Sequence, residues 1–204
     1  MTSASSSSPR RIGAPDSETR ARLVDAAEQL LLEEGYAAVT SRRVGATAGL
    51  KPQLVHYYFR SMDDLFVEVF RRRAEENLAR VEHALSGDVS LRSLWELNAD
   101  PRATAFSIEF LAMAKHHKAI RAEVARFAER YRAAQLRAMT CALAASEVDA
   151  DTLPAIVALL LMTGLSQVLS LERSLGFVAG HDETVEFVID LIDRLDAGEN
   201  ALAP

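Results

Sequence analysis

Apolar residues recur at helical spacing along almost all of this sequence, and that period restricts the fold more than any other feature. Leu23, Ala26, Ala27, Leu30 and Leu31 occupy positions i, i+3, i+4, i+7 and i+8 of a single stripe. Strand-type alternation persists nowhere, and glycine and proline are scarce, at nine and six residues. The sequence therefore predicts an all-α chain of about nine helices.

Capping residues and helix-ending glycines locate the helix boundaries. Gly35 follows the first helix, Thr40 is a good N-cap for the second, and Pro52 can open the third at its first turn. Ser61 begins a capping box with Asp64 at the start of a long fourth helix. The predicted helices cover residues 17–34, 41–48, 52–59, 61–85, 91–97, 101–117, 118–146, 152–175 and 182–197.

The second and third predicted helices are short and joined by the sequence AGLK, an arrangement typical of a helix-turn-helix. Gly49 permits the positive φ that such a turn requires. The second helix of this motif enters the major groove of DNA. Residues 10–60 carry eight Lys/Arg against six Asp/Glu, although the chain has a net charge of −6. This local basic balance favours a polyanionic partner.

The side chains of the motif divide by chemistry. Gln53 and His56 lie three residues apart, so they share a helix face, and both suit the edges of bases. Arg42 could reach a base or a phosphate, while either Leu54 or Val55 could touch a thymine methyl as the other packs inward. The side chains suited to phosphate are those of Thr40, Ser41, Lys51, Tyr57, Tyr58 and Arg60.

Aromatic residues at helical spacing are also typical of a core, so a motif that only packs is the alternative interpretation. We assign Phe59 to the core in either case, and we expect Val44 and Leu65 to hold the helices together.

Residues 20–66 resemble the DNA-binding domain of the TetR (tetracycline-repressor-like) family of bacterial regulators. The resemblance lies in TSRRV, AGL, LVHYYF and SMDDL and covers roughly a quarter of the chain. It implies that Arg42, Pro52, Gln53, Leu54 and His56 touch bases. Phosphate contacts are implied for Thr40, Tyr57, Tyr58 and the position of Met62.

Four residues depart from the family pattern. Lys51 replaces the usual Ser, Leu54 a Thr or Ser, His56 a Tyr, and Met62 a Lys. The loss of lysine at Met62 removes one phosphate contact, for which Lys51 and Arg60 could compensate. These departures concern the operator sequence and leave the DNA-binding role unchanged.

The chain divides into a flexible arm over 1–16, a helix-turn-helix domain over 17–62, and a ligand-binding and dimerisation domain over 63–204. A solvated tail is the favoured interpretation of the arm, although Arg10 and Arg11 could enter a minor groove. We expect a cytoplasmic protein, because the N-terminus lacks the apolar segment of a signal peptide. The single cysteine, Cys141, fits a reducing compartment and is expected to be a small buried hydrophobe.

Residues 152–171 contain no charge over a length that could span a bilayer. Pro154, Gly164 and Ser166 dilute the stretch, so we expect a helix that is buried on most sides. This helix and the last one are expected to pair with their symmetry mates in a four-helix dimer interface, as the resemblance also implies. The expected interface residues are Leu161, Leu165, Val168, Val185, Val188, Ile189 and Ile192.

A ligand cavity would need apolar walls and a few polar anchors. The candidates are Trp95, Asn98, Phe106, Phe110, Met113, His117, Tyr131, Gln135 and Met139. Their apolar excess favours a lipophilic effector, and ordinary core packing is the alternative for the aromatic members. His116 and His117 would point about 100° apart on a helix, so we predict neither a metal site nor a cofactor.

These features together predict a repressor that binds a palindromic operator as a homodimer and is released by a small molecule. An all-helical enzyme with a coincidental motif is one alternative, but the sequence contains no Gly-rich phosphate loop and no nucleophile–histidine spacing. A non-specific DNA-binding protein is the other, and the net charge of −6 argues against it.

Overall fold

The computed structural model describes residues 17–87 and 89–198, and over these residues the chain forms nine α-helices and a single 3₁₀ turn at Tyr36–Ala38. The predicted all-α fold is confirmed. Every predicted helix is present, and most bounds agree to within two residues. The helices are α1 Glu18–Glu34, α2 Ser41–Thr47, α3 Gln53–Tyr58, α4 Met62–Leu85, α5 Leu91–Asn98, α6 Pro101–Ala114, α7 Lys118–Ala145, α8 Ala155–Ser174 and α9 His181–Asp196.

Local side-chain chemistry starts the helices where the sequence predicts. The Thr40 hydroxyl accepts a hydrogen bond from the backbone N–H of Arg43 at 3.3 Å, and the Ser61 hydroxyl accepts one from Asp64 at 3.1 Å. Each bond satisfies one of the backbone donors that a helix start leaves unpaired. Pro101 is the first residue of α6, where its missing N–H costs nothing.

The first of two hydrophobic clusters joins α1–α3 to the first half of α4 and to α6. Val44, Phe59 and Leu65 are buried in it, which confirms their predicted packing role. Phe106 and Phe110 of α6 belong to the same cluster. The helix-turn-helix region therefore shares its core with the helices that follow it. The arm over 1–16, with Arg10 and Arg11, lies outside the described residues.

The second cluster fills the space between the far half of α4 and helices α5, α7, α8 and α9. Leu78, Trp95, Met139 and Leu143 are buried there. The α4 helix thus crosses from one cluster to the other, with Phe66 and Val69 in the first and Leu78 and Val81 in the second.

The expectation that α8 is buried on most sides is wrong for the single chain. Only Leu159, Ser166 and Leu169 of this helix are buried. By length and composition α8 could cross a membrane, which is weak evidence on its own. The neighbouring helices cover one side of α8 and leave Leu161 64% exposed, and on α9 Phe187 is 67% exposed. Both helices therefore present large apolar side chains to solvent, and we call these side chains together the apolar surface of α8 and α9.

The prediction for Cys141 is also wrong, because its side chain is exposed. Its neighbour Ala142 is the residue that α7 turns into the core. An Ala-rich helix gives a weak signal of which face is buried, since small side chains occur on both of its faces.

Candidate nucleic-acid interface and ligand cavities

The turn between α2 and α3 is fixed by backbone geometry and by one arginine. Gly49 has φ +66°, the left-handed conformation that its sequence position predicts. The N–H of Leu50 donates to the carbonyl of Gly45 at 2.8 Å. From α1, the Arg22 guanidinium donates to the carbonyl of Ala48 at 2.6 Å. The angle between the two helices is therefore set by contacts within this domain.

Gly45 of α2 lies against the backbone of the turn that leads into α3. A Cβ atom built on it would lie 3.0 Å from the Leu50 carbonyl oxygen and from the nitrogen and Cα of Pro52. These neighbours are backbone atoms, which cannot rotate aside. The sequence reasoning overlooked this residue, although a glycine in a helix interior costs about 1 kcal/mol and so calls for a packing explanation.

One side of α3 is buried and the other faces solvent. Val55 is 0% exposed and Phe59, just after the helix, is 3% exposed. Leu54 and Tyr58 are half-buried and pack against the same core. Val55 is therefore the residue that packs inward, and Leu54 keeps part of its surface outside.

The exposed side of α3 carries hydrogen-bonding and cationic groups. Gln53 and His56, whose spacing of three residues predicts a shared helix face, are both exposed. Tyr57 is exposed and meets Tyr58 edge to face, with ring centroids 5.0 Å apart. Arg60 follows the helix and is exposed as well. The structure thus brings these five predicted contact residues together on or beside a single face.

The remaining predicted DNA contacts flank this face. Thr40 and Arg42 are exposed at the start of α2, and Ser41 is half-buried. Lys51 is exposed and Pro52 half-buried in the turn that precedes α3.

The two consecutive arginines of α2 have different surroundings. Arg43 forms a two-pronged ion pair with Glu34 of α1, in which Nη1 and Oε2 are 2.7 Å apart. This hydrogen bonding lowers the pKa of Glu34 below its ordinary value. Arg42 makes no hydrogen bond or ion pair with the described part of the chain, and the same holds for Lys51 and Arg60. Three cations on this surface are therefore available to an external anion.

A further arginine of α1, Arg20, connects the helix-turn-helix region to α4. The Arg20 guanidinium lies 2.8 Å from the Glu68 carboxylate and 5.1 Å from the centroid of the Phe59 ring. The hydrogen bond from Arg20 lowers the pKa of Glu68. The core residue that ends α3 is thus covered by a cation that is itself held by α4.

His117, a predicted ligand contact, lies instead at the junction of the N-terminal domain with the later helices. Its Nδ1 is 2.9 Å from an Asp63 carboxylate oxygen at the start of α4, and its Nε2 is 3.0 Å from the Tyr36 hydroxyl. The N–H of Tyr36 also donates to the Glu109 carboxylate of α6, at 3.3 Å. These contacts connect the α1–α2 segment, α4 and the α6–α7 turn, and neither cavity described below includes His117.

A cavity of about 260 Å³ lies between helices α4, α5, α6, α7 and α8, and we call it the inner cavity. Four predicted ligand residues line it together, namely Asn98, Phe110, Tyr131 and Gln135. Gln135 donates to the Asn98 side-chain oxygen at 3.2 Å, and Asn98 donates to the Leu94 carbonyl at 2.9 Å. The sequence reasoning missed Thr163 and Gln167 of α8 and Arg132 of α7, which also line this cavity.

A second cavity of about 190 Å³ lies between α5, α7, α8 and α9, and we call it the outer cavity. The predicted ligand residues Trp95 and Met139 line it, together with four residues of the predicted dimer interface, Leu161, Leu165, Val188 and Ile192. All of its lining side chains are apolar. Phe106 and Met113 are buried in the first cluster and line neither cavity. The predicted ligand residues are thus divided among four places: the inner cavity, the outer cavity, the core of the first cluster and the junction at His117.

Residues 23–69 match the family of bacterial regulatory proteins known as the tetR family. These residues therefore form an N-terminal domain of the tetR type. Over 52 residues it is 40% identical to the HTH-type transcriptional regulator BetI of Rhizobium meliloti, and this match covers 26% of each protein.

Solved structures extend the similarity of fold to the other helices. A transcriptional regulator from Saccharomonospora viridis in complex with choline has a TM-score of 0.72 at 19% identity, over 86% of this chain and 96% of that one. Salmonella enterica GusR has a TM-score of 0.67 at 20% identity, over 91% and 97% of the two chains. At this level of identity the comparison concerns the fold alone.

The apolar side chains of α8 and α9 include most of the residues predicted for the dimer interface. Leu161 and Val168 are exposed, while Leu165, Val185, Val188 and Ile189 are half-buried. Ile192 is 5% exposed and belongs to the core of the single chain. Within the described residues, no group of three or more His, Cys, Asp or Glu side chains could hold a metal ion.

Proposed function

We propose that this protein is a homodimeric, sequence-specific transcriptional repressor in the cytoplasm, without enzymatic activity, which a small effector releases from a palindromic operator. The observation that carries the proposal is the exposed side of α3 with its flanks. Hydrogen-bonding side chains lie there beside Arg42, Lys51 and Arg60, which have no partner among the described residues. An unpaired cluster of cations on an acidic chain suits a polyanion.

The side chains divide into two roles in this proposal. Arg42, Gln53 and His56 read base edges, with contributions from Pro52 and Leu54, because an amide can pair with adenine and a guanidinium with guanine. The phosphate contacts come from Thr40, Ser41, Lys51, Tyr57, Tyr58 and Arg60, and they fix the register on the duplex.

Dimerisation supplies the spacing that a palindrome needs. The apolar surface of α8 and α9 is the feature that supports it, since exposed side chains such as Leu161 and Phe187 would be covered by the same surface of a second copy. Two copies of α3 could then enter successive major grooves about 34–36 Å apart.

The inner cavity supports the effector proposal. The Saccharomonospora viridis regulator holds choline in a similar fold, and we transfer to this chain only the idea that such a fold accommodates a small molecule. An effector releases the operator if it binds more tightly to a conformer in which the two α3 helices are wrongly spaced.

Selection of bound fragments from random DNA by the purified full chain, followed by sequencing, tests the proposal. We expect enrichment of a palindrome whose half-sites are about one turn of DNA apart. The proposal fails if no sequence binds more tightly than bulk DNA at the same salt concentration.

Gln53→Ala and His56→Ala are each expected to relax discrimination at one or two base pairs of the selected operator. The expected cost is about 1–3 kcal/mol per lost base contact, because each side chain would read one base edge. Binding titrations against operators mutated at single positions measure it. If either variant instead loses the same affinity for every sequence, the residue contacts phosphate and its role is misassigned.

Lys51→Ala is expected to weaken binding to all sequences alike and to reduce the slope of log K against log salt by about 1. The physical reason is that one fewer phosphate is neutralised and fewer counterions are released. Arg137→Ala is the matched control, since Arg137 is an exposed cation on the far half of α7. An unchanged slope for Lys51→Ala, or an equal change for Arg137→Ala, would contradict the phosphate assignment.

A further inference from the structure

The inner cavity has an unbalanced charge. Among its lining residues Arg132 alone is charged, and no carboxylate lines the cavity. Arg132 is exposed at the edge of the cavity and forms no ion pair with the described residues. The carboxylate of Asp100, at the start of α6, already has two partners. It lies 3.4 Å from Arg80 and accepts a hydrogen bond from the N–H of Arg102 at 2.9 Å. A molecule in this cavity therefore meets an uncompensated positive charge.

Two polar side chains of the inner cavity, Gln135 and Tyr131, can form hydrogen bonds with a ligand. Gln135 is 6% exposed, and its amide nitrogen is used by Asn98, which leaves its carbonyl oxygen without a donor among the described residues. Burial raises the pKa of the Tyr131 hydroxyl, outweighing the opposite effect of Arg80, so this group keeps its proton and can donate. Gln135 thus offers a free acceptor, Tyr131 a neutral donor and Arg132 a cation, among other polar side chains of the lining.

The aromatic residues of the cavity raise the opposite possibility, since rings can also hold a cationic ligand. However, their ring surfaces are largely engaged with one another. Phe70 meets Phe127 edge to face at 5.6 Å and Phe110 at 5.0 Å, while Phe127 stacks on Tyr131 at 5.3 Å. A cation would also face Arg132 without a carboxylate among the lining residues, so the charge of the lining argues against a cationic ligand.

We infer that the effector bound by the inner cavity is an amphipathic organic acid, with its anionic group at Arg132 and its apolar body beside Phe110, Phe127 and Tyr131. Any hydroxyl or N–H group on that body would be met by the Gln135 carbonyl. The volume of about 260 Å³ accommodates a ring with a polar head, since a cavity of about 150 Å³ already holds benzene. This inference rests on the proposed effector-responsive function and narrows its ligand to one class.

Three probes on one framework test the charge preference with the full chain and without DNA: phenylpropionate, phenylpropanol and phenylpropylamine, with choline as a fourth. Calorimetry at one fixed ionic strength is expected to give the order acid, alcohol, amine. The acid should bind about tenfold more tightly than the amine, because it gains a charge-assisted hydrogen bond where the amine is repelled. Binding of the amine or choline as tight as that of the acid overturns the inference, and so does binding of none of the four.

The variant Arg132→Gln tests whether Arg132 causes the preference for the acid over the alcohol. This exposed position tolerates the change, and the variant is expected to bind acid and alcohol equally, with alcohol affinity unchanged. Arg137→Gln, on the same helix and outside the cavity, should retain the full preference. An Arg132→Gln variant that still prefers the acid contradicts the assignment.

The two proposals fail separately. If the acid binds as expected but no operator is selected, the regulatory function is wrong and the ligand class stands. If an operator is selected but the amine or choline binds best, the ligand class is wrong and the regulatory function stands.

Discussion

Leu161→Asp is expected to dissociate the proposed homodimer into monomers and to weaken operator binding by about two orders of magnitude or more, because a lone half-site contact loses the gain from linked binding. Leu161 is 64% exposed on α8, so the single chain should fold normally. In a two-fold interface the substitution would bury carboxylates from both copies, and each burial is unfavourable without a partner.

Sedimentation or light scattering measures the mass, and operator titration measures the affinity. Phe187→Asp changes a different helix of the same surface and should give the same result, since Phe187 is 67% exposed on α9. Ala125→Asp adds an equal charge at an exposed position of α7 and should leave both readings unchanged. If Leu161→Asp and Phe187→Asp both retain the dimer mass, copies of this chain do not associate through α8 and α9.

Gly45→Val is expected to lower the free energy of unfolding by about 2–3 kcal/mol and to reduce operator affinity strongly. The added side chain meets the carbonyl oxygen of Leu50 and the backbone of Pro52, each already 3.0 Å from the Cβ position. Relief requires the turn and α3 to move away from α2, which displaces Gln53 and His56 relative to Thr40 and Arg42 at the start of α2.

Ala46→Val is the matched control, because it places the same residue, valine, at the next position of α2, where the side chain is exposed. Its effect on stability should stay within about 0.5 kcal/mol. Urea denaturation with a far-UV signal measures both variants. Equal midpoints for the two would show that the α2–α3 contact has room for a side chain.

Helix boundaries and the buried side of the motif could be predicted from the sequence because their causes are local. Thr40 and Ser61 cap their helices with hydroxyls three residues from the N–H groups they satisfy, and Gly49 marks the turn by its conformational freedom. Val44 and Leu65 belong to periodic patterns that a helix must bury.

Other properties depended on partners that are distant in the sequence. Whether Arg42 or Arg43 would be free was decided by Glu34, whose position relative to α2 follows from the packing of α1. An apolar period identifies the buried side of α6 and α7 but does not say where packing leaves a gap. Phe106 therefore fills the core, while Phe110 borders the inner cavity.

The α8 helix illustrates a further limit of sequence reasoning. Its composition requires that most of its surface be covered, but composition does not distinguish cover by the same chain from cover by another molecule. Within one copy, only Leu159, Ser166 and Leu169 are covered.

Because α4 is long, a small tilt of this helix at one end moves its other end by a larger distance. Its N-terminal end carries Asp63, which contacts His117 at the junction, and Asn77 of the same helix borders the inner cavity. At 1.5 Å per residue, these two residues are separated by about 21 Å along the helix axis. If an occupant of the cavity tilted α4 by about 5°, its DNA-proximal end would move by about 2 Å. In the proposed homodimer, two-fold symmetry would double that displacement between the two α3 helices. A small tilt of α4 in each copy would thus change the spacing of these helices relative to successive major grooves.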